Sequence, residues 1–229
     1  MQFRSIASSS AGNCNRVVHG GDSLLLDCGV PAGRLIKKGI RMKGFSGGLI
    51  THSHKDHCKA AKELLKRAVD IYCLEDTAKA IGIEKHHRTH FLTPEMHYQI
   101  GCFKVVPFYA VHDVPCINFY IETPTRERMC YITDTAYVPA VFPGLDIIAL
   151  EINSDPETLY ATDVNPVRRR RVRLNHMGLD TALTFLRENV TQKLREVHIL
   201  HMSNDNANAE RILNAVRAVV GVPVYVCEE

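Results

Sequence analysis

Residues 51–57 read Thr-His-Ser-His-Lys-Asp-His, so His52, His54, Asp56 and His57 fall within six positions. Such a run restricts how the chain around it can fold. Residues 48–50 form a short apolar segment before it, and residues 59–68 carry helix-forming side chains after it. A strand that runs out into a loop and then a helix turns all four side chains toward one point. Imidazole nitrogen and carboxylate oxygen together suit zinc, manganese or iron. A polar surface loop is the alternative, but so dense a set of ligand types is uncommon without a metal.

The rest of the chain is that of an ordinary globular protein. Its 229 residues are enough for one domain with a substantial core, and residues 1–229 read as a single unit. A net charge of +3 does not by itself demand a polyanionic partner. No apolar run has bilayer length, and residues 1–10 lack a basic-then-apolar leader, so a cytoplasmic location is expected. The eight cysteines form no C-x-C or C-x-x-C pair, which argues against a thiolate zinc knuckle. Free thiols serving as small core residues are the expectation.

Strands are predicted at 23–26, 103–109, 117–121, 129–133, 147–150 and 197–200, with a hairpin turn around 122–125. Helices are predicted at 31–38, 59–67, 179–188 and 209–220, the last two from apolar residues at helical spacing. Strands with helices scattered between and after them imply sheets covered on their outer faces by helices. The segment 155–173 differs, with two prolines and the run Arg168, Arg169, Arg170 and Arg171. It reads either as a solvated face or as a phosphate-contacting patch, since guanidinium is a planar fork matched to phosphate oxygens.

One loop does not complete a metal site. His112, Asp134 and His201 each lie just past a predicted strand, where the ends of adjacent strands gather side chains. One such histidine alone would more often be structural.

The order H-x-H-x-D-H, then His, Asp and His, resembles the metallo-β-lactamase superfamily along essentially the whole chain. Leu25-Leu26-Asp27-Cys28-Gly29 is similar to that family's first motif, whose aspartate supports the metal loop. The opening Ser8-Ser9-Ser10-Ala11-Gly12-Asn13-Cys14 resembles the WalJ/YycJ-like branch of DNA-processing, exonuclease-like proteins. Thr133-Asp134-Thr135, Glu151-Ile152-Asn153, Asn175-His176-Met177 and His201-Met202-Ser203 also resemble that branch, which more usually has Gly-His-Leu-Ser near His176.

The resemblance implies an α/β (α+β) fold, a four-layer αββα sandwich of two mixed β-sheets flanked by helices. It implies two divalent metal ions, zinc first, with manganese or iron as alternatives. His52, His54 and His112 would hold one, and Asp56, His57 and His201 the other, with Asp134 bridging. It assigns catalytic roles to Asp56 and to His176, the latter as proton donor or phosphate contact; the plainer reading is that His176 caps or packs a helix. Arg168 to Arg171 and Asn153 become candidate substrate contacts.

The implied activity is hydrolysis of phosphodiester bonds in nucleic acid, most simply a DNA exonuclease, through a hydroxide held by two metals. Alternatives on the same scaffold are a phosphodiesterase of small cyclic nucleotides and a thioester or lactam hydrolase. A binding module without catalysis fits less well, because every expected ligand position is filled. The expected partner is DNA or a nucleotide and not a membrane; a homodimer is left open.

Overall fold

The computed structural model describes residues 1–161 and 165–227. Residues 162–164, inside the arginine-bearing segment 155–173, and residues 228–229 lie outside the described residues. Two sheets face each other. The first runs in chain order: β1 (Gln2–Ser9), β2 (Gly12–His19), β3 (Asp22–Leu26), β4 (Gly47–Leu49), β5 (Ile71–Cys73) and β6 (Thr89–Phe91). β1 to β3 are antiparallel, and β3 to β6 are parallel.

The second sheet comprises β7 (Tyr98–Ile100), β8 (Phe103–Tyr109), β9 (Ile117–Glu122), β10 (Arg128–Ile132), β11 (Ile147–Glu151), β12 (Glu196–Leu200) and β13 (Val224–Val226). It is antiparallel from β7 to β10 and parallel from β10 to β13. The parallel crossovers are helical except the one from β10 to β11, where residues 133–146 form a loop. The first half contributes α1 (Ala32–Lys37), α2 (Lys55–Cys58), α3 (Ala61–Lys66) and α4 (Glu75–Ile81). The second contributes α5 (Pro156–Ala161), α6 (Pro166–Asn175), α7 (Leu179–Asn189) and α8 (Ala209–Val220).

Alternation along the strands builds three apolar layers. Leu24, Leu26, Met129, Tyr131, Ile147 and Ala149 point between the sheets, where they meet Phe103, Ile117, Phe119 and Leu49. Their neighbours Leu25, Cys130, Ile132, Ile148 and Leu150 point outward under the helices, α1 and α3 on one side and α7 and α8 on the other. Both faces of the central strands are therefore covered, which is why they read as continuous apolar runs. The result is the expected four-layer αββα arrangement of two mixed sheets.

The predicted strands at 103–109 and the helix at 209–220 match the observed limits, and the others lie within a residue or two. The expected helix at 59–67 begins two residues late, as α3 at Ala61; Lys59 and Ala60 form a turn, and the short α2 before it lies outside the expected range. Seven of the eight cysteines are buried and all are free thiols. Among the described residues, no helix is long and apolar enough to cross a membrane.

Candidate metal centre

Every residue of the His52–His57 loop follows β4, and the other candidate donors follow β8, β10 and β12, so both sheets deliver side chains to one edge of the sandwich. The loop is fixed from below. Asp27, directly after β3, accepts from Thr51 N and Thr51 Oγ1 at 2.9 Å each, from His57 Nδ1 at 2.9 Å and from Tyr131 Oη at 2.9 Å. Cys28 N donates to the His57 carbonyl at 2.7 Å, which ties α2 to the end of β3. The backbones come so close that a Cβ on Gly29 would lie 1.6 Å from the Asp56 carbonyl oxygen, so glycine is required there.

These outer bonds decide which ring nitrogen each histidine offers. The single Thr51 hydroxyl proton goes to Asp27, so its oxygen accepts from His52 Nδ1 at 3.0 Å. His57 gives Nδ1–H to Asp27, and His112 gives Nδ1–H to the Asn175 carbonyl at 2.9 Å. In the neutral rings the lone pair is then left at Nε2 in all three, and the three Nε2 atoms face inward. His52 Nε2 is buried and has no hydrogen-bond partner among the described residues. A buried lone pair without a donor is costly, and a cation answers it.

Around these atoms the donors form three overlapping groups, each with its ligand atoms within 4.8 Å of one another: His52, His54, His112 and Asp134; Asp134, Glu151, His176 and His201; and Asp56, His57 and His201. Asp134 stands between the expected ligand sets. Its Oδ2 lies 3.8 Å from His52 Nε2 and from His112 Nε2, and its Oδ1 lies 3.3 Å from His57 Nε2 and 2.8 Å from His201 Nδ1. Asp56 Oδ2 is 3.4 Å from His57 Nε2 and 3.8 Å from His201 Nε2.

The electrostatics are those of a site built for positive charge. Burial opposes ionisation of Asp134, yet His201 and His57 outweigh it and hold the carboxyl well below the usual range. Burial likewise opposes a charged His201, but Asp134 and then Glu151 lift its ring to about 10. His57 is raised well above the ordinary value, its burial overcome by Asp134 and Asp27. Burial and the neighbouring His57 push His52 the other way, well below it. A carboxylate only 2% exposed needs compensating positive charge within reach. The donor set therefore fits divalent metal.

The sequence profile described as a Beta-lactamase superfamily domain matches residues 23–224. The chain belongs to the β-lactamase superfamily. The chain is 26% identical over 236 residues to the exodeoxyribonuclease YycJ of Bacillus anthracis, covering 96% of this chain and 89% of that protein. The metallo-β-lactamase fold protein YhfI from Bacillus subtilis superposes with a TM-score of 0.79 at 17% identity, over 99% of this chain and 96% of that one. A diphosphatase from the PhnP family gives a TM-score of 0.72 at 14% identity, over 99% and 94%. Human tRNase Z, short form, gives 0.67 at 16% identity, over 91% and 95%. These likenesses establish the metallo-β-lactamase fold.

Within this superfamily member, all seven expected ligands, His52, His54, Asp56, His57, His112, Asp134 and His201, meet at the sheet edge. His176, the residue capping the C-terminal end of α6, joins them, its Nδ1 2.7 Å from Glu151 Oε1. The plainer reading placed it at the start of the helix that follows, but Gly178 caps α7; His176 ends α6 instead and faces the cleft.

The arginine run is divided by the helical turn. Arg168 and Arg171 line the cleft of about 460 Å³ over the donors, where they pair with Asp205 at 2.7 Å and Asp113 at 3.3 Å. Arg169 lies over the Tyr160 ring at 4.8 Å, and Arg169 and Arg170 line a separate hollow. The four-arginine patch is thus corrected to two arginines at the cleft. Asn153 also lines the cleft but spends its amide on the His201 carbonyl at 3.0 Å, which makes it a brace for that histidine.

Two acids received no role in the sequence reading, although Glu151 stands in one of the segments that resemble the branch. Glu151 is fully buried at the end of β11 and accepts from Thr135 N and Met177 N at 3.2 Å while facing His176 and His201. Asp113 lies 3.2 Å from His112 Nε2 and 3.4 Å from His54 Nε2. An acid ending an otherwise apolar strand was the available signal for Glu151; Asp113 had none beyond adjacency to His112.

Proposed function

We propose that the chain is a metal-dependent phosphodiesterase of nucleic acid, of DNA exonuclease type, using two divalent cations. The observation that carries the reading is the inward convergence of imidazole Nε2 atoms, one of them buried and unpartnered, about the ionised Asp134. His52, His54 and His112 would hold one cation, Asp56, His57 and His201 the second, and Asp134 both. Bound divalent metal lowers the pKa of a coordinated water from near 16 to about 7 and offsets charge on the phosphoryl oxygens.

The remaining steps belong to the chain's own groups. Arg168 and Arg171 exchange their aspartate partners for phosphate oxygens and orient the backbone of the substrate. Burial disfavours a charged His176, but Glu151 raises its ring above the ordinary value. That shift favours the protonated ring, and with Nδ1 held by Glu151 the proton on Nε2 is the one offered to the leaving oxygen. The kinship with a named exodeoxyribonuclease, and folds shared with a diphosphatase and a tRNase, support phosphate ester chemistry. Free thiols throughout agree with a cytoplasmic setting.

The test is a panel of end-labelled single- and double-stranded DNA and RNA, with cyclic nucleotides alongside, each with zinc and with manganese. Metal-dependent shortening of DNA is expected, abolished by Asp56→Ala and by chelation. Intact polymers with hydrolysed cyclic nucleotides would shift the assignment to the small-nucleotide alternative. Intact substrates throughout would end the phosphodiesterase reading.

A further inference from the structure

The catalytic cleft continues into a second hollow of about 570 Å³, within the range typical of ligand pockets. The two share Ser10, Met202, Ser203 and Asn204 as walls. Beyond them the hollow is bounded by the β1–β2 turn and by the start of α8, with Ser8, Ser9, Ala207 and Ala209 among its lining. None of its lining residues is charged. The cleft, by contrast, is lined by His, Asp and Arg side chains.

That division of charge selects the ligand. A phosphate in the hollow would lose water without gaining a cation. A neutral group with hydrogen-bonding edges and one apolar face would lose little. The Ser10 hydroxyl and the Asn204 amide have no hydrogen-bond partner among the described residues, so both are available to such edges. Met202, half-buried on the shared wall, offers a polarizable thioether to a flat ring. Ser8 Oγ accepts from His201 N at 2.9 Å, so the hollow is registered to the metal donors.

We propose that this hollow is a nucleoside subsite, receiving the base and sugar attached to the phosphate under attack. The assignment rests on the phosphodiesterase reading and deepens it. The sites for phosphate and for nucleoside are then distinct, and side-chain volume at the hollow controls nucleoside preference without touching the metal donors.

The experiment compares three esters with one leaving group: the 3′- and 5′-(p-nitrophenyl phosphates) of thymidine, and methyl p-nitrophenyl phosphate. Their kcat/KM ratios isolate the nucleoside. Wild-type protein loaded with zinc or manganese is expected to favour one thymidine isomer over the methyl ester by about 10-fold or more, the worth of one or two hydrogen bonds. Ala209→Trp, at an exposed position that opens α8, should fill the hollow and bring that ratio close to 1. Asn204→Ala, in an exposed loop, should lower it by about 2- to 10-fold, and it decides the matter should the tryptophan variant not fold. If all three esters are hydrolysed and the ratio is near 1 for both isomers, or is retained in both variants, the subsite is refuted while the phosphodiesterase reading stands. If no ester is hydrolysed, both fall together.

Discussion

Asp27→Asn removes one charge and almost no volume from beneath the metal loop. Asp27 is buried, and its two oxygens accept four bonds at 2.9 Å, from Thr51 N, Thr51 Oγ1, His57 Nδ1 and Tyr131 Oη. An asparagine keeps both Thr51 bonds only by placing its oxygen at the Oδ1 position. Its NH2 then faces His57 Nδ1 and Tyr131 Oη, which were both donors. His57 must move its proton to Nε2, the atom the cation needs bare. Tyr131 already accepts from Asn15 Nδ2 at 3.1 Å and loses its own acceptor. A bond to a charged group is worth about 1.5–3 kcal/mol and a neutral one about 0.5–1.5, so exchanging two costs about 2–3 kcal/mol. For a chain of this size that lowers the melting temperature of the metal-free protein by about 4–12 °C. Zinc affinity should fall by about 10- to 100-fold, as with other outer partners of ligating histidines. Calorimetric melting and competition with a chromophoric chelator measure the two effects separately. An unchanged melt together with zinc affinity within about twofold of wild type would refute the assignment of His57 Nε2 as a bare ligand atom imposed by Asp27.

Other perturbations probe different parts of the site. Arg168→Ala and Arg171→Ala should each reduce the slope of log affinity against log salt for single-stranded DNA by about 0.7, read by fluorescence anisotropy, whereas Arg170→Ala should leave it unaltered. Metal should bind more tightly at pH 8 than at pH 6. Burial opposes the charged form of His201, but Asp134 holds its proton until about pH 10, and that proton must leave on ligation. Calorimetry in buffers of differing ionisation enthalpy counts the protons released, and a pH-independent affinity would contradict this. Asp155 is desolvated, yet bonds from Thr158 and Asn208 and the Arg211 guanidinium depress its carboxyl below the usual value. A depressed carboxyl stabilises the fold above its unfolded pKa and loses that contribution as pH falls through the folded value. Asp155→Asn should therefore lower the melting temperature at pH 7, with the difference from wild type shrinking as the pH falls below the ordinary carboxylate value of about 3.9.

How far the site could be read from sequence depends on whether each residue's surroundings left a mark on its neighbours. His112, Asp134 and His201 were legible because each interrupts an apolar strand with a metal-binding type of side chain. Glu151 does the same after Ile147-Ile148-Ala149-Leu150, but its partners His176 and His201 are 25 and 50 residues away. β1 and β2 carry Arg4, Ser5, Asn13, Asn15 and Arg16, so their strand character is hidden by polar residues. Asn13 and Asn15 are buried because they reach the site, Asn13 Nδ2 lying 3.0 Å from His57 Nε2. α6 is polar nearly all round, with only Val172 and Asn175 buried, so no helical period exists to be found. The available signal was at its start, where Asn165 caps Val167 N and Pro166 occupies the first turn.

The backbone explains why this sheet edge, and not another, became the site. Among the described residues six other than glycine have positive φ, and three of them are Asp27 at 58°, Asp134 at 27° and His201 at 48°. Each lies one or two residues beyond its strand, after Leu26, Ile132 and Leu200. A strand continuing in extended geometry would send these side chains alternately up and down the pleat. A left-handed residue breaks that alternation and folds its side chain back across the ends of the neighbouring strands. The conformation costs about 1–3 kcal/mol for a residue other than glycine, least for Asp, Asn and His. Glycine would relieve the cost but remove a ligand at Asp134 or His201, and the support of the metal loop at Asp27. The strain persists because each residue is held elsewhere: Asp27 N by the Leu49 carbonyl, His201 N by Ser8 Oγ, and the Asp134 side chain by the Thr133 hydroxyl at 2.8 Å. Two sheets whose strand ends curl inward in this way supply donors from opposite sides of one point. A single sheet, with all its ends in one row, could not surround a cation.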